Sequence, residues 1–236
     1  MDSASWQYDE LKQVGVDYND VAEVEAYDQR HNQFRDVEGE NAAIMEALDV
    51  QPNDVLIDLG TGTGTFAIQV ARRCKKVYVV DVSKVMLEYA SQKAIQSGVT
   101  NVEFVYGGFL TYSHRAAPVD AVVSNIAFHH LPDFWKAIGL RRMNQMLRMG
   151  GKLYLADVVF SGDSFQRDIA RWIEDMGQVG GLELQQEMAL HLREEYSTFD
   201  WILEGLLAEA NFRIVHKENH EGVLAAYLCV KEAEVV

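Results

Sequence analysis

The stretch Val55-Leu-Ile-Asp58-Leu-Gly60-Thr-Gly62-Thr-Gly64-Thr-Phe-Ala-Ile-Gln-Val-Ala71 changes character twice, and its reading decides the fold. Val55 to Leu59 is short and mostly apolar, as a strand buried on both faces should be. Gly60, Gly62 and Gly64 then alternate with threonines. From Thr65 onward, Phe66, Ile68, Val70 and Ala71 follow helical spacing. A glycine-rich turn between a parallel strand and a helix lets the backbone approach a ligand closely and aims helix N-terminal amides at it. A tight turn with no ligand is the plainer alternative, yet three glycines in five residues weaken a turn without improving its packing. A dinucleotide site needs G-x-G-x-x-G. Here a single residue separates Gly62 from Gly64, one short of that pattern.

The rest of the composition narrows the function classes. A chain of 236 residues suits one domain with an elaboration. At 48% hydrophobic and 24% charged residues it has ample material for a core. A formal net charge of −15 repels phosphate backbones, and the short basic clusters Arg72-Arg73, Lys75-Lys76 and Arg141-Arg142 form no patch, so no nucleic-acid partner is expected. Cys74 and Cys229 make neither a disulfide scaffold nor a zinc set. Met1 to Glu10 is polar and acidic, unlike a signal peptide, and no apolar run approaches the roughly 18 residues of a membrane span. A soluble cytoplasmic protein with no membrane partner is the expectation.

Further strands repeat the βα pattern. Lys76 to Val80 reads as the second strand and ends at Asp81, 23 positions after Asp58. A carboxylate at that strand end, beside the glycine turn, can accept both hydroxyls of a ribose, or it can cap the helix that follows. Ser83 to Gly98 reads as that helix, Val102 to Tyr106 as the third strand, Asp120 to Ser124 as the fourth and Lys152 to Ala156 as the fifth, ending at Asp157. Val21 to Asp36 and Glu40 to Leu48 have helical character near the start. Residues 158–196 interrupt the repeat with an amphipathic helix through Phe165, Ile169, Trp172, Ile173 and Met176, a break at Gly177 to Gly181, and a second helix over Leu184 to Leu192. Ser197-Thr-Phe-Asp200 has capping-box form and predicts a helix through Ala210. Phe212 to Glu218 and Val223 to Lys231 read as a hairpin joined by Asn219-His-Glu-Gly222.

Asp58 followed by Gly60-Thr-Gly62-Thr-Gly64 resembles the first motif of class I S-adenosylmethionine (SAM) methyltransferases, an acid and then G-x-G-x-G. The resemblance covers residues 40–157 by motif and 197–231 by pattern. It implies an α/β, doubly wound (Rossmann-like), mostly parallel seven-stranded sheet of order 3-2-1-4-5-7-6 with a helical cover. The domain plan is a lid at 1–39, a SAM-binding core at 40–157, a substrate cover at 158–196, and a completing helix and hairpin at 197–236. It also implies cofactor contacts. Asp58, Gly60, Thr61, Gly62 and Gly64 form the turn, and Asp81 with Val82 holds the ribose. Met86, followed by Leu87, packs on the adenine. Asn125, Ile126 and His130 belong to the fourth motif, which runs through Phe128-His129-His130-Leu131-Pro132-Asp133. Tyr27, in a Tyr-Asp dipeptide, and Arg35 reach the methionine end, whose carboxylate suits an arginine. Where the family often carries an acid for the adenine amino group, this chain has Gly108, so base recognition is expected from main-chain groups near Gly108 and Phe109.

The implied activity is methyl transfer from SAM to a small-molecule acceptor, leaving S-adenosylhomocysteine. Alternatives are a non-catalytic SAM-binding regulator and an NAD-dependent oxidoreductase. Displacement at a sulfonium methyl needs positioning, and a base only when the nucleophile arrives protonated. His130 ranks first for that role. His129, Trp135, Asp157, Glu195 and Tyr196 are the candidates for the acceptor side, where the lid helix, the His129–Trp135 loop and the exit of the cover should meet. Adjacent histidines rarely converge on one ion and no further ligand has suitable spacing, so no metal is expected.

Overall fold

A computed structural model describes residues 6–12 and 14–235; residues 1–5 of the expected lid lie outside it. The first strand, β1 (Val55–Leu59), sits in the middle of the sheet between β2 (Lys76–Asp81) and β4 (Val119–Asn125), parallel to both. β3 (Val102–Tyr106) flanks β2, and β5 (Leu147–Phe160) flanks β4, again in parallel. The terminal hairpin, β7 (Phe212–His220) and β8 (Leu224–Lys231), adds antiparallel to β5. A two-residue strand, β6 (Thr198–Phe199), pairs with the tip of β5 off this path. The order is therefore β3-β2-β1-β4-β5-β8-β7. It is the expected 3-2-1-4-5-7-6 once β6 is counted in chain order.

Alternation along the strands builds two apolar layers, since successive side chains leave a strand on opposite faces. Leu56, Val77, Val79, Ala121 and Val123 face one way. Against them pack Ile44 and Leu48 of α2 (Val37–Leu48), Phe66 and Val70 of α3 (Thr65–Ala71), and Leu87 of α4 (Lys84–Gln96). Ile57, Leu59, Val80 and Val122 face the other way, against Leu140 and Met143 of α5 (Asp133–Met146) and Leu203 and Leu207 of α7 (Asp200–Glu209). Each fully buried aliphatic contributes about 1.5–3 kcal/mol by area. The sheet's carboxyl edge is left to the loops that follow the parallel strands.

Several boundaries depart from the sequence reading for identifiable reasons. The helix expected over Val21 to Asp36 ends early, as α1 (Val21–His31), because Asp36 instead caps α2 by accepting from the Gly39 amide. α2 thus starts before the expected boundary at residue 40. β5 outruns Lys152–Ala156 at both ends, since Leu147 pairs with Val119 of β4 ahead of a register shift, β8 pairs as far as Val158, and β6 takes Val159 and Phe160. The cover holds two α-helices, taken together as α6 (Phe165–Glu194), that part at Gly181 (φ 73°, ψ −166°), inside the break expected at Gly177 to Gly181. Gly177 and Gly180 stay helical, with Gln185 and Leu184 from beyond the kink lying against them. Ser197 does not cap a helix. Its hydroxyl pairs with His191 Nε2 at 2.7 Å, residues 198–199 extend, and α7 begins at Asp200. No helix among the described residues is long and apolar enough to cross a membrane.

Candidate active site

Each parallel strand delivers one group to the carboxyl edge. Asp81, at the end of β2, is buried; its Oδ2 accepts from the Gly62 amide and its Oδ1 from the Ser83 amide, both at 2.8 Å. Burial pushes its pKa up to about 6. Asp58, in β1, accepts from Thr61 Oγ1 at 2.6 Å, and burial with the nearby Asp81 charge pushes it up to about 7. The three turn glycines all have φ between 55° and 73° but serve different ends. A Cβ on Gly60 would run into Ala127, and one on Gly64 would sit 2.8 Å from Ala90 of α4. Gly62 has nothing within 4 Å of that position; it opens onto the cleft. Gly64 therefore caps α3 and packs on α4, and lines neither cavity.

Two cavities share Tyr27, Gly60, Gly62 and Ile126. The first adds Asp81, Val82, Met86, Gly108, Phe109 and His130. The second adds Arg35, Asp58, Thr61 and Asn125. All the expected cofactor residues except Gly64 thus border one continuous edge. Ile126 holds φ 54°, a costly value for a β-branched residue, and so aims the chain between the two cavities. The second cavity also contains a group the sequence reading missed. Asn41 is 2% exposed, and its Nδ2 donor has no partner among the described residues. Arg35, expected to bind an anion there, is held by both carboxylate oxygens of Glu40, at 3.2 and 3.1 Å from Nε.

The N-terminal segment closes the cleft. α1 is latched to the glycine turn through Asp28, which accepts from Thr63 Oγ1 and Lys93 Nζ, each at 2.5 Å. Tyr27 stacks on His31 (3.8 Å between rings) and meets Tyr18 edge-on; burial pushes its pKa up to about 12, so the phenol is neutral. The Ser83 hydroxyl donates to the Tyr18 carbonyl at 2.5 Å. Nearer the start, Glu10 enters the first cavity and binds the loop after β3. The Gly108 amide, expected to serve base recognition, donates to Thr111 Oγ1 at 2.9 Å.

The adjacent histidines part. His130 lines the first cavity, edge-on to Tyr18, and burial together with the His129 charge lowers its pKa to about 4. His129 turns away: Nδ1 meets Asp157 Oδ1 at 2.5 Å and Nε2 lies 3.3 Å from Glu195 Oε2. Glu195 also pairs with His191 Nδ1. Asp157 further accepts from the His129 and Val158 amides. The two carboxylates hold His129 above its ordinary pKa, and in turn lie below theirs. Tyr196 donates its amide to the His129 carbonyl, and Trp135 stacks on Trp6. His129, Trp135, Asp157, Glu195 and Tyr196, expected on the acceptor side, do not line these two cavities. His129, Asp157, Glu195 and the Tyr196 amide satisfy one another and so form a wall beside His130. His129, His130 and Glu195 do bring ligand atoms within 4.8 Å of one another, a grouping that spacing along the chain does not show. Both nitrogens of His129 already face carboxylates there.

Residues 56–151 match a family model described as a methyltransferase domain. An uncharacterized methyltransferase of Geobacillus kaustophilus is 31% identical over 189 residues, 80% of this chain and 81% of that one. Among solved structures, a SAM-dependent methyltransferase from Aquifex aeolicus superposes with a TM-score of 0.64 at 18% identity, covering 90% of this chain and 98% of that one. A [4+2]-cyclase, SpnF, reaches 0.63 at 16% identity over 81% and 79%. These structural likenesses are likenesses of fold.

Proposed function

The chain belongs to the class I SAM-dependent methyltransferase family, and we propose that it binds SAM along the paired cavities and passes the methyl group to a small-molecule acceptor. The observation that carries this reading is Asp81. Each of its oxygens holds one main-chain bond, which leaves lone pairs for two ribose hydroxyls beside the open face of Gly62. The unpartnered Asn41 amide, in the second cavity, fits the amino-acid carboxylate. Family membership removes the ground for the NAD-dependent alternative.

SAM supplies an already activated methyl on a sulfonium, so in-line approach counts for more than proton transfer. The chain's own contribution is therefore position and exclusion of water. Tyr18, Tyr27 and His130 close over the meeting point of the cavities. His130, neutral at pH 7, accepts or donates a hydrogen bond to the acceptor and is a weak proton acceptor. Asp157 and Glu195 orient its neighbour His129 and so fix the wall. The net charge of −15 and the N-terminal lid closed over the cleft favour a small acceptor over nucleic acid.

A second reading, SAM binding without methyl transfer, is favoured by the weak basicity of His130, and the fold alone does not choose between chemistries. Incubation with methyl-labelled SAM and metabolite extracts, alongside tRNA and rRNA, separates these outcomes. Label in the small-molecule fraction is expected. Label in RNA would overturn the substrate class, and SAM binding with no acceptor in any extract would favour the second reading.

A further inference from the structure

Glu10 lies in a turn of the N-terminal segment, with no helix or strand of its own, yet it is 8% exposed. A buried carboxylate needs partners, and the loop after β3 provides them. Oε1 accepts from the Leu110 amide (2.9 Å), the Thr111 amide (2.6 Å) and the Thr111 hydroxyl (2.7 Å). Oε2 shares only the Leu110 amide, at 3.0 Å. That second oxygen points at Gly108, where a Cβ would sit 2.6 Å from it and equally close to Val82 Cγ1. Residue 108 is therefore glycine because the carboxylate of Glu10 occupies the space a side chain would take. Glu10, Gly108, Val82, Met86 and Phe109 border the same cavity as Asp81. A nucleoside whose ribose sits on Asp81 carries its base into that corner.

We infer that Glu10 reads the base of the cofactor, its Oε2 accepting the hydrogen bond of the adenine 6-amino group. This rests on the SAM reading above and assigns base recognition to a residue of the lid, 100 positions away from the loop it binds. The lid is then part of the binding site. An acceptor with free lone pairs at this corner selects a 6-amino purine over a 6-oxo purine, which presents an acceptor of its own.

Substitution of Glu10→Gln makes a sharp test because the loop fixes which way the amide turns. Its oxygen must stay on the Leu110 and Thr111 donors, so its NH2 group replaces Oε2. Calorimetry would compare S-adenosylhomocysteine with S-inosylhomocysteine on the full chain. The wild type should prefer the adenosyl form by about tenfold or more, the scale of one charge-assisted hydrogen bond. E10Q should lose most of that preference or reverse it, through weaker adenosyl and tighter inosyl binding. An unchanged preference in a folded E10Q would overturn the inference. So would tighter adenosyl binding by the variant, which would mark Glu10 as a plug. Should E10Q not fold, the wild type decides with an N6,N6-dimethyl adenosyl analogue, which has no 6-amino hydrogen. Equal binding of that and the inosyl form with S-adenosylhomocysteine would overturn the inference. If the wild type binds none of these ligands, the SAM reading itself falls, and this one with it.

Discussion

Asp81 is placed where burial and binding pull its charge in opposite directions. Without a ligand, burial raises its pKa to about 6; ribose hydroxyls, which donate, demand the carboxylate. Affinity for S-adenosylhomocysteine should therefore be full above pH 7 and fall as pH drops through about 6. Calorimetry from pH 8 to 5 checks this, and Asp81→Asn should bind more weakly, by about 1.5–3 kcal/mol at high pH, with a flatter profile. A wild-type affinity that rises toward pH 5 would contradict the role. Asp58 and Glu10 are buried acids of the same edge and contribute to the slope, so the variant's flattening is the informative part. Asp81 was legible in the sequence because its place depends on local order, the strand end next to the glycine turn. Glu10 and Asn41 were not, because nothing near them in sequence says which loop they meet. The same holds for His129, whose partners Asp157 and Glu195 come from β5 and from the residue that ends α6.

The strand, turn and helix at 55–71 were legible as an element because apolar runs and glycines state their own conformation. The glycines nonetheless differ in ways that only packing reveals. Gly62→Ala places its methyl in open space and costs about 1–2 kcal/mol of left-handed strain, so the variant should fold and melt only a few degrees lower. It should lose SAM binding, since that methyl projects into the cleft. Gly60→Ala adds the same strain and forces a methyl into Ala127, for about 1–3 kcal/mol more of overpacking, and should lose both stability and binding. Melting curves with and without S-adenosylhomocysteine separate the two; equal loss of stability in both variants would contradict the assignment. Elements whose limits depend on distant partners were less legible. The residues at Ser197 look like a cap until His191 takes the hydroxyl, and β5 looks five residues long until β4, β8 and β6 extend it.

At the scale of the whole molecule, two sets of buried ionisable groups oppose each other in pH. Asp58 and Asp81 have folded pKa values of about 7 and 6, above the ordinary range. A raised carboxyl contributes stability below its unfolded pKa near 4 and loses it as pH rises through the folded value. His129, also raised, acts in the same direction above about pH 6.5. Asp157 and Glu195 are depressed, so their contribution is present above pH 4–5 and lost as pH falls through their folded values. The formal charge of −15 adds self-repulsion at high pH. His31 and His130, both lowered to about 4, oppose the two aspartates, contributing stability above pH 6.5 that is lost as pH falls toward 4, so the ligand-free protein should show a broad stability plateau between about pH 4.5 and 7 and weaken above it. The cofactor binds the ionised cleft, so the melting-temperature gain from saturating S-adenosylhomocysteine should be larger at pH 8 than at pH 5.5. Thermal unfolding by circular dichroism from pH 4 to 8.5, with and without ligand, measures both quantities. A ligand-free melting temperature that climbs steadily to pH 8 would show that the charges of Asp58 and Asp81 cost the fold nothing. A ligand gain that shrinks with rising pH would mean the cofactor does not rest on the carboxylate of Asp81. The acid pair that makes the cleft a binding site is, on this account, the part of the fold that destabilises it when empty.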